Sequence, residues 1–442
     1  MSSTRPIEIV KDALSADAVL SPYVYVFYAA FLVAFVFTPV MRSIAIYYNI
    51  VDKPDLVRKL HAQPVAYLGG VAIFMGWLAG MAMTQFTLVH QIMPGLDDHL
   101  RVPVAIIVAA VIIVVLGLWD DVNHLRPRTK IIGQVLAALS LLSAGIGTNV
   151  LRLFVSSIAV RAEVKLGIDF PDPLVSGIIL VSSCLLTIGL VIFCCNASNL
   201  MDGLDGLCSG ITAIIAAGFV FMAVTVAQQG GTFDELSVVG QLINFDGVRV
   251  VVALALLGAV LGFIPYNFNP ASIFMGDTGS MFLGFGCALL ILMMGEIDGK
   301  WLLAGIVMFA LPVLDTSLAF ARRYVAGRPF FSPDRHHFHH QLVQRGLSVK
   351  QAVLVSYAIT LFFVACGVAV VYLRTRYAVA FYMVLFGCIV VAAYKMGMIH
   401  ERVVVDKAAN FTAGGSQASN EDATTEGVLE IRKDKPVIDL RA

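Results

Sequence analysis

The chain has 442 residues, 59% hydrophobic and 14% charged, with a mean hydropathy of +0.85. Soluble domains carry roughly 45–50% apolar and about 25% charged residues, so composition points to the membrane and away from an ordinary soluble enzyme. The formal net charge is zero, which removes the whole-chain basic field that would argue for nucleic acid.

The first twenty residues are polar and mixed in charge, and a long apolar span follows them. No cleavable leader is expected from that pattern. A membrane helix needs about 20 mostly apolar residues. Eleven such runs are read, at about 22–45, 68–88, 102–119, 130–147, 174–195, 204–227, 248–266, 279–296, 301–321, 350–373 and 376–396. The expected fold is therefore an all-α polytopic membrane protein. Segment 148–173 partly alternates polar and apolar residues, is rich in Val and Ile, and ends in Pro, so a short periplasmic β-hairpin is expected there. The chain divides into a periplasmic segment 1–21, a membrane-embedded domain 22–400, and a cytoplasmic tail 401–442. The tail is small and polar, with too little apolar surface to fold alone. The seven cysteines lie in or beside apolar runs without framework spacing, which suits small buried residues.

Spans alternate the side on which loops emerge. If loops 46–67, 121–129, 196–203, 267–278 and 322–349 share one side, that side holds thirteen Lys and Arg against ten opposite, and twenty once the tail is added. The positive-inside rule then makes those loops cytoplasmic. They also hold nearly all the clustered polar residues, which predicts one cytoplasmic active site.

In chain order, the first loop offers Arg58, Lys59 and His61, then Gly69 and Gly70 opening a helix. Cations beside a helix N-terminus make an anion site, although a basic topology loop would look the same. The second carries Asp120 and Asp121 at a helix C-terminus, the wrong end of the dipole for two carboxylates. A hard divalent cation would offset their repulsion, and Mg²⁺ prefers carboxylate and phosphate oxygens. A solvated Asp pair is the plainer reading. Lys130 then opens the next span as a phosphate partner or a topology anchor. In the third loop Asn196, Asn199, Asp202 and Asp205 recur every three residues, among Gly203, Gly206 and Gly210. Helix capping explains one or two of these, not four. The fourth loop places Asn267 near Asp277, which lies between Gly276 and Gly279. The fifth holds Arg335, His336, His337, His339 and His340. Zinc is the rival reading there, since His336 and His340 are spaced i, i+4, but the other loops supply oxygens and suit Mg²⁺. Asp315 lies within a span, paired with Arg322 or Arg323 or facing a polar interior.

Five patterns in order, from about residue 52 to 345, resemble the polyprenyl-phosphate N-acetylhexosamine-1-phosphate transferase superfamily. They are Asp-x-Pro-x-x-x-Arg-Lys-x-His with Gly-Gly, Asp120-Asp121, Asn196-x-x-Asn199-x-x-Asp202-Gly-x-Asp205-Gly, Gly276-Asp277-Thr278-Gly279-Ser280, and Asp334-Arg335-x-His337-x-His339-His340. The basic first loop and the histidine pattern resemble the bacterial branch that starts surface polysaccharides such as O-antigen, more than the peptidoglycan branch. The resemblance implies transfer of a sugar-1-phosphate, most simply GlcNAc-1-phosphate, from a UDP-N-acetylhexosamine to undecaprenyl phosphate, with release of UMP. It implies Mg²⁺, with Mn²⁺ as the alternative, on Asp277 with Asp120, Asp121 and Asn199. Asp120, Asp121, Asp202, Asp205, His337, His339 and His340 fall in catalytic positions. Arg58, Lys59, His61, Lys130, Asn196, Asn199, Asn267 and Arg335 would bind substrate. The expected setting is the bacterial inner membrane, among membrane lipids, and the family often forms homodimers. Phospho-MurNAc-pentapeptide transfer is the alternative within the superfamily. A transporter is the alternative outside it, but carriers bind near the midplane between related halves, and no internal repeat is evident.

Overall fold

Each of the eleven apolar runs coincides with a helix or a helical pair in the computed structural model, which describes residues 15–52, 64–84, 102–167, 169–228, 245–325, 327 and 337–395. The tail 401–442 and residues 1–14 of the N-terminal segment lie outside the described residues. In chain order the helices are α1 (Ala16–Leu20), α2 (Val24–Tyr47), α3 (Gly69–Met83), α4 (Val104–Asn123), α5 (Pro127–Ser143), α6 (Arg152–Leu166), α7 (Asp172–Met201) and α8 (Leu207–Gln228). They continue with α9 (Phe245–Asn267), α10 (Gly276–Gly295), α11 (Gly299–Met308), α12 (Ala310–Val325), α13 (Phe338–Gln344), α14 (Val349–Val371) and α15 (Thr375–Lys395).

Helices and crossings are not the same number. Seven of the described helices are long and apolar enough to cross a membrane, or eight if α11 and α12, bent by 74°, form one broken span. Helix α3 has 15 residues and α5 has 17, below the usual spanning length. The molecule is thus a multi-pass membrane protein, and the expected eleven crossings hold only as helical segments.

The expected β-hairpin at 148–173 is not formed. Residues 152–166 are helix α6, closed by Gly167 at φ +65°, whose N–H bonds to the carbonyl of Glu163. The run Arg161-Ala162-Glu163-Val164-Lys165-Leu166 is made mostly of good helix formers, and no tight-turn pair splits the segment into two strands. Gly167 is a left-handed helix cap rather than a hairpin turn. The described strands lie elsewhere: β1 (Val51–Asp52) pairs antiparallel with β2 (Val65–Ala66), and the Phe274 N–H donates to the Ala66 carbonyl. This small sheet ties the first loop to the segment just before α10.

Helix α10 is the centre of the bundle. It packs on α3, α4, α7, α8, α9 and α11, and every one of its residues except Asp277 is buried. A helix apolar around its whole circumference must be enclosed. Lipid-facing helices show the contrasting pattern. On α4, Val104, Val108, Val111 and Val115 are exposed at helical spacing, while Ile106, Ala110 and Ile113 are buried on the other side. Small residues let backbones meet at the α4 and α10 crossing: a Cβ on Gly117 would lie 2.4 Å from the Cα of Thr278.

Candidate active site

The C-terminus of α4, the N-terminus of α5, the C-terminus of α7 and the N-terminus of α10 meet at one end of the bundle. The sequence places a polar residue at each of these ends, and the contacts join them. The Lys130 ammonium, opening α5, bridges Asp120 and Asp277, lying 2.7 Å from Asp277 Oδ2. Asp120 also accepts from the Leu125 N–H at 2.6 Å, which closes the turn after α4.

Asp121 faces the other way. Its Oδ1 accepts from the Asp277 N–H at 2.7 Å, and its Oδ2 accepts from the Thr278 N–H at 3.1 Å and the Thr278 hydroxyl at 2.5 Å. It therefore caps α10 from a different helix, satisfying amides that the first turn leaves open. Gly276 makes this approach feasible: it sits at φ +67°, and a Cβ there would come within 2.6 Å of the Asp121 carboxylate.

The α7 terminus adds the third motif. Asn199 donates to the Ser280 hydroxyl at 3.1 Å, and Asn196 donates to Gln134 Oε1 at 2.9 Å. Asp205 accepts from the Asn269 side chain at 2.9 Å and the Ala271 N–H at 3.0 Å, so it holds the loop before α10. Asn267 accepts from the Ser209 hydroxyl at 2.8 Å and donates to the Ile273 carbonyl at 3.1 Å, bracing the same loop. Asp202 ends α7, half-buried, with Asp277, Asp121 and Asp205 all acting on it. Desolvation first, then these carboxylates, push its carboxyl up to about 8.

The histidines form a second cluster beside it. His337 precedes α13, and its Nδ1 lies 2.8 Å from Asp315 Oδ2. The rings of His337 and His339 are stacked at 5.7 Å, and His340 lies 4.3 Å from His339. His339 is fully buried, and among the described residues neither ring nitrogen has a hydrogen-bond partner. Burial above all, and then neighbouring His340, drive its imidazole down to about 3, so it is neutral at physiological pH. A Cβ on Gly203 would sit 2.3 Å from His339 Nε2, so the glycine beside Asp202 is the floor on which this ring rests. Gly203 thus connects the histidines to the acidic end. Arg58, Lys59, His61 and Arg335 lie outside the described residues.

Several neighbours of the site are not evident from the motifs. Tyr67 is pushed up to about 12 by burial and then by Asp121, Asp277 and Asp202, so it stays a phenol close to the acidic end. Gln134, one helical turn after Lys130 in an apolar helix, was a visible signal; the Tyr357 hydroxyl, which donates to the Gly206 carbonyl at 2.5 Å from distant α14, was not.

Three carboxylates (Asp120, Asp121 and Asp277) gather at this end with one described ammonium, Lys130, which bridges two of them. That surplus of negative charge suits a hard cation. Among the described residues, no three His, Cys, Asp or Glu side chains form a ready-made ion cage. A Mg²⁺ ion is usually held by one or two carboxylates together with substrate phosphates and water.

An acidic, Lys-bridged cluster at the end of a membrane bundle is the kind of site that a transferase handling phosphate groups at a lipid surface requires. The comparisons with known proteins agree. The profile of glycosyl transferase family 4 matches residues 103–295. The chain is 32% identical over 343 residues to a probable undecaprenyl-phosphate N-acetylglucosaminyl 1-phosphate transferase of Bacillus subtilis, covering 77% of this chain and 82% of that protein. It is 32% identical over 349 residues to the decaprenyl-phosphate N-acetylglucosaminephosphotransferase of Mycolicibacterium smegmatis, covering 74% and 77%. With the phospho-N-acetylmuramoyl-pentapeptide-transferase of Moorella thermoacetica it shares 38% identity over 151 residues, 34% of this chain and 41% of that protein. The chain belongs to glycosyl transferase family 4, within the bacterial polyprenyl-phosphate N-acetylhexosamine-1-phosphate transferases, and is a phosphoglycosyltransferase.

Proposed function

We propose that this enzyme transfers GlcNAc-1-phosphate from UDP-GlcNAc to undecaprenyl phosphate at the cytoplasmic face of the bacterial inner membrane, releasing UMP and starting a surface polysaccharide. The single observation that carries the reading is the convergence of Asp120, Asp121, Lys130, Asn199 and Asp277 at one end of the bundle. Names of the relatives aligned over most of their length favour GlcNAc as the sugar and a polyprenyl phosphate as the acceptor. Pentapeptide transferases also align with this chain, at 30–38% identity, so that donor is the second reading and the screen below separates the two.

In the reaction a lipid phosphate oxygen attacks the sugar-bearing phosphorus, and the bond between that phosphorus and the bridging oxygen to UMP breaks. A phosphate monoester has its second pKa near about 6, so at pH 7 the acceptor is already largely dianionic. Asp120 therefore positions Lys130 and the acceptor and is not needed as an obligatory base. UMP leaves as a phosphate, so no general acid has to protonate it. Lys130 would release Asp277 as substrate phosphates arrive and compensate their charge. Asp121 keeps the α10 N-terminus in place during this exchange. Asp277, with Asp120, Asp121 and Asn199, would hold Mg²⁺ or Mn²⁺, which supplies charge stabilisation for the phosphoryl oxygens. Arg58, Lys59, His61 and Arg335 would meet the donor's diphosphate, with His337, His339 and His340 beside the donor.

A donor screen tests the assignment. Purified enzyme in detergent with undecaprenyl phosphate should release UMP from UDP-GlcNAc in preference to UDP-MurNAc-pentapeptide. Preference for the pentapeptide donor would move the enzyme to the peptidoglycan branch.

A further inference from the structure

The histidine cluster is anchored from within the membrane domain by a carboxylate outside the five motifs. Asp315 lies on α12, the second half of the bent pair, and is 2% exposed. Its Oδ2 is 2.8 Å from His337 Nδ1, and its Oδ1 accepts from the Phe338 N–H at 2.7 Å. A carboxylate offers acceptors only, so the ring nitrogen it meets must carry a hydrogen. The rings of His339 and His340 lie 5.7 and 6.4 Å from that of His337, and Arg322 and Arg323 are buried further along α12.

From this geometry we infer that Asp315 is a positioning residue for the transfer: it fixes the proton of His337 on Nδ1, leaving Nε2 as a hydrogen-bond acceptor for an O–H or N–H of the donor's sugar. The inference rests on the proposed function for what Nε2 meets, and on contacts alone for the tautomer. Asparagine at 315 makes the logic sharp. One of its two terminal atoms would be an amide donor, but the Phe338 N–H always needs an acceptor. The amide NH₂ must then turn to His337, whose Nδ1 can accept only by moving the proton to Nε2. The same exchange underlies the loss of activity when the orienting carboxylate of a hydrolase triad becomes an amide.

The test uses the full chain, with ¹⁵N-labelled histidine, in proteoliposomes. The nine histidines can be resolved by loss of one signal in His337→Gln. Wild-type His337 should be protonated on Nδ1, and Asp315→Asn should move the proton to Nε2. UMP release should fall about 10²- to 10⁴-fold in kcat, with the KM values for both substrates within about threefold. In a His337→Gln background, adding Asp315→Asn should change kcat by less than about twofold, because Asp315 acts through that ring. A wild-type ring protonated on Nε2 alone overturns the inference without any variant. So does an Asp315→Asn ring that keeps its Nδ1 proton, or an additive double-variant cycle. Wild-type protein that releases no UMP would defeat the proposed function, while the tautomer measurement would still report on Asp315.

Discussion

Asp120 and Asp121 are adjacent in sequence and serve different partners in space. Asp120 pairs with Lys130, whereas Asp121 accepts three hydrogen bonds from the first turn of α10. Asp121→Ala should therefore behave as loss of a helix cap, destabilising by roughly 0.5–2 kcal/mol with a lower thermal midpoint. Asp277→Asn should be the opposite case, because Asp121 still caps the backbone and Lys130 keeps Asp120. Folding should survive, while turnover falls about 100-fold or more, about 3 kcal/mol of barrier, and Mg²⁺ dependence weakens. A folded Asp277→Asn enzyme with wild-type Mg²⁺ dependence contradicts the assigned role. His339 carries a pH prediction. Its imidazole is pushed down to about 3, chiefly by burial and then by His340, against an ordinary value near 6.5. The unfolded chain therefore binds a proton at this residue that the folded chain refuses. Stability from it is present above pH 6.5 and is lost progressively as the pH falls toward 3. Replacing the ring by His339→Leu should shrink the drop in thermal midpoint between pH 7 and pH 5. An equal drop in the variant would show that other groups set the acid sensitivity.

Helix ends and crossings hold these residues in register, and glycines decide how closely the ends approach. A Cβ on Gly117 would meet backbone of α10, 2.4 Å from Thr278 Cα, where no flexible side chain can yield. Gly117→Ala should separate α4 from α10 and loosen the Asp121 cap, costing about 1–3 kcal/mol of stability together with activity. Gly299→Ala is the control, since among the described residues nothing lies within 4 Å of its Cβ position, and it should be neutral in both assays. At this scale the sequence was only partly informative. Composition and length revealed the apolar helices, and the loop motifs identified Asp120, Asn199 and Asp277. The hairpin expected at 148–173 was wrong because short Val- and Ile-containing stretches alternate by chance within helices. The left-handed Gly167 cap was the better signal. The partition of Asp120 from Asp121 was not legible, because it depends on which helix end lies opposite each carboxylate. Tyr357 and Gly206 meet across 151 residues, a separation that no local pattern encodes.

Across the whole molecule, α5 starts at the acidic end and α7 returns to it, so residues 144–167 lie at the opposite end of the bundle. With Cys388 replaced, because it is exposed, single cysteines at His124 and Lys165 should report opposite sides. An impermeant maleimide applied to intact spheroplasts should label Lys165→Cys and spare His124→Cys. The reverse pattern would put the site outside the cell.

The central claim is that this end of the bundle moves a sugar together with its phosphate onto a lipid. Donor labelled with ³²P in the phosphate next to the sugar separates this from ordinary glycosyl transfer. With undecaprenyl phosphate and Mg²⁺, the label should pass into the lipid product while unlabelled UMP is released, and Asp277→Asn should abolish the transfer. Label left behind in released UDP, with only the sugar on the lipid, would contradict the account.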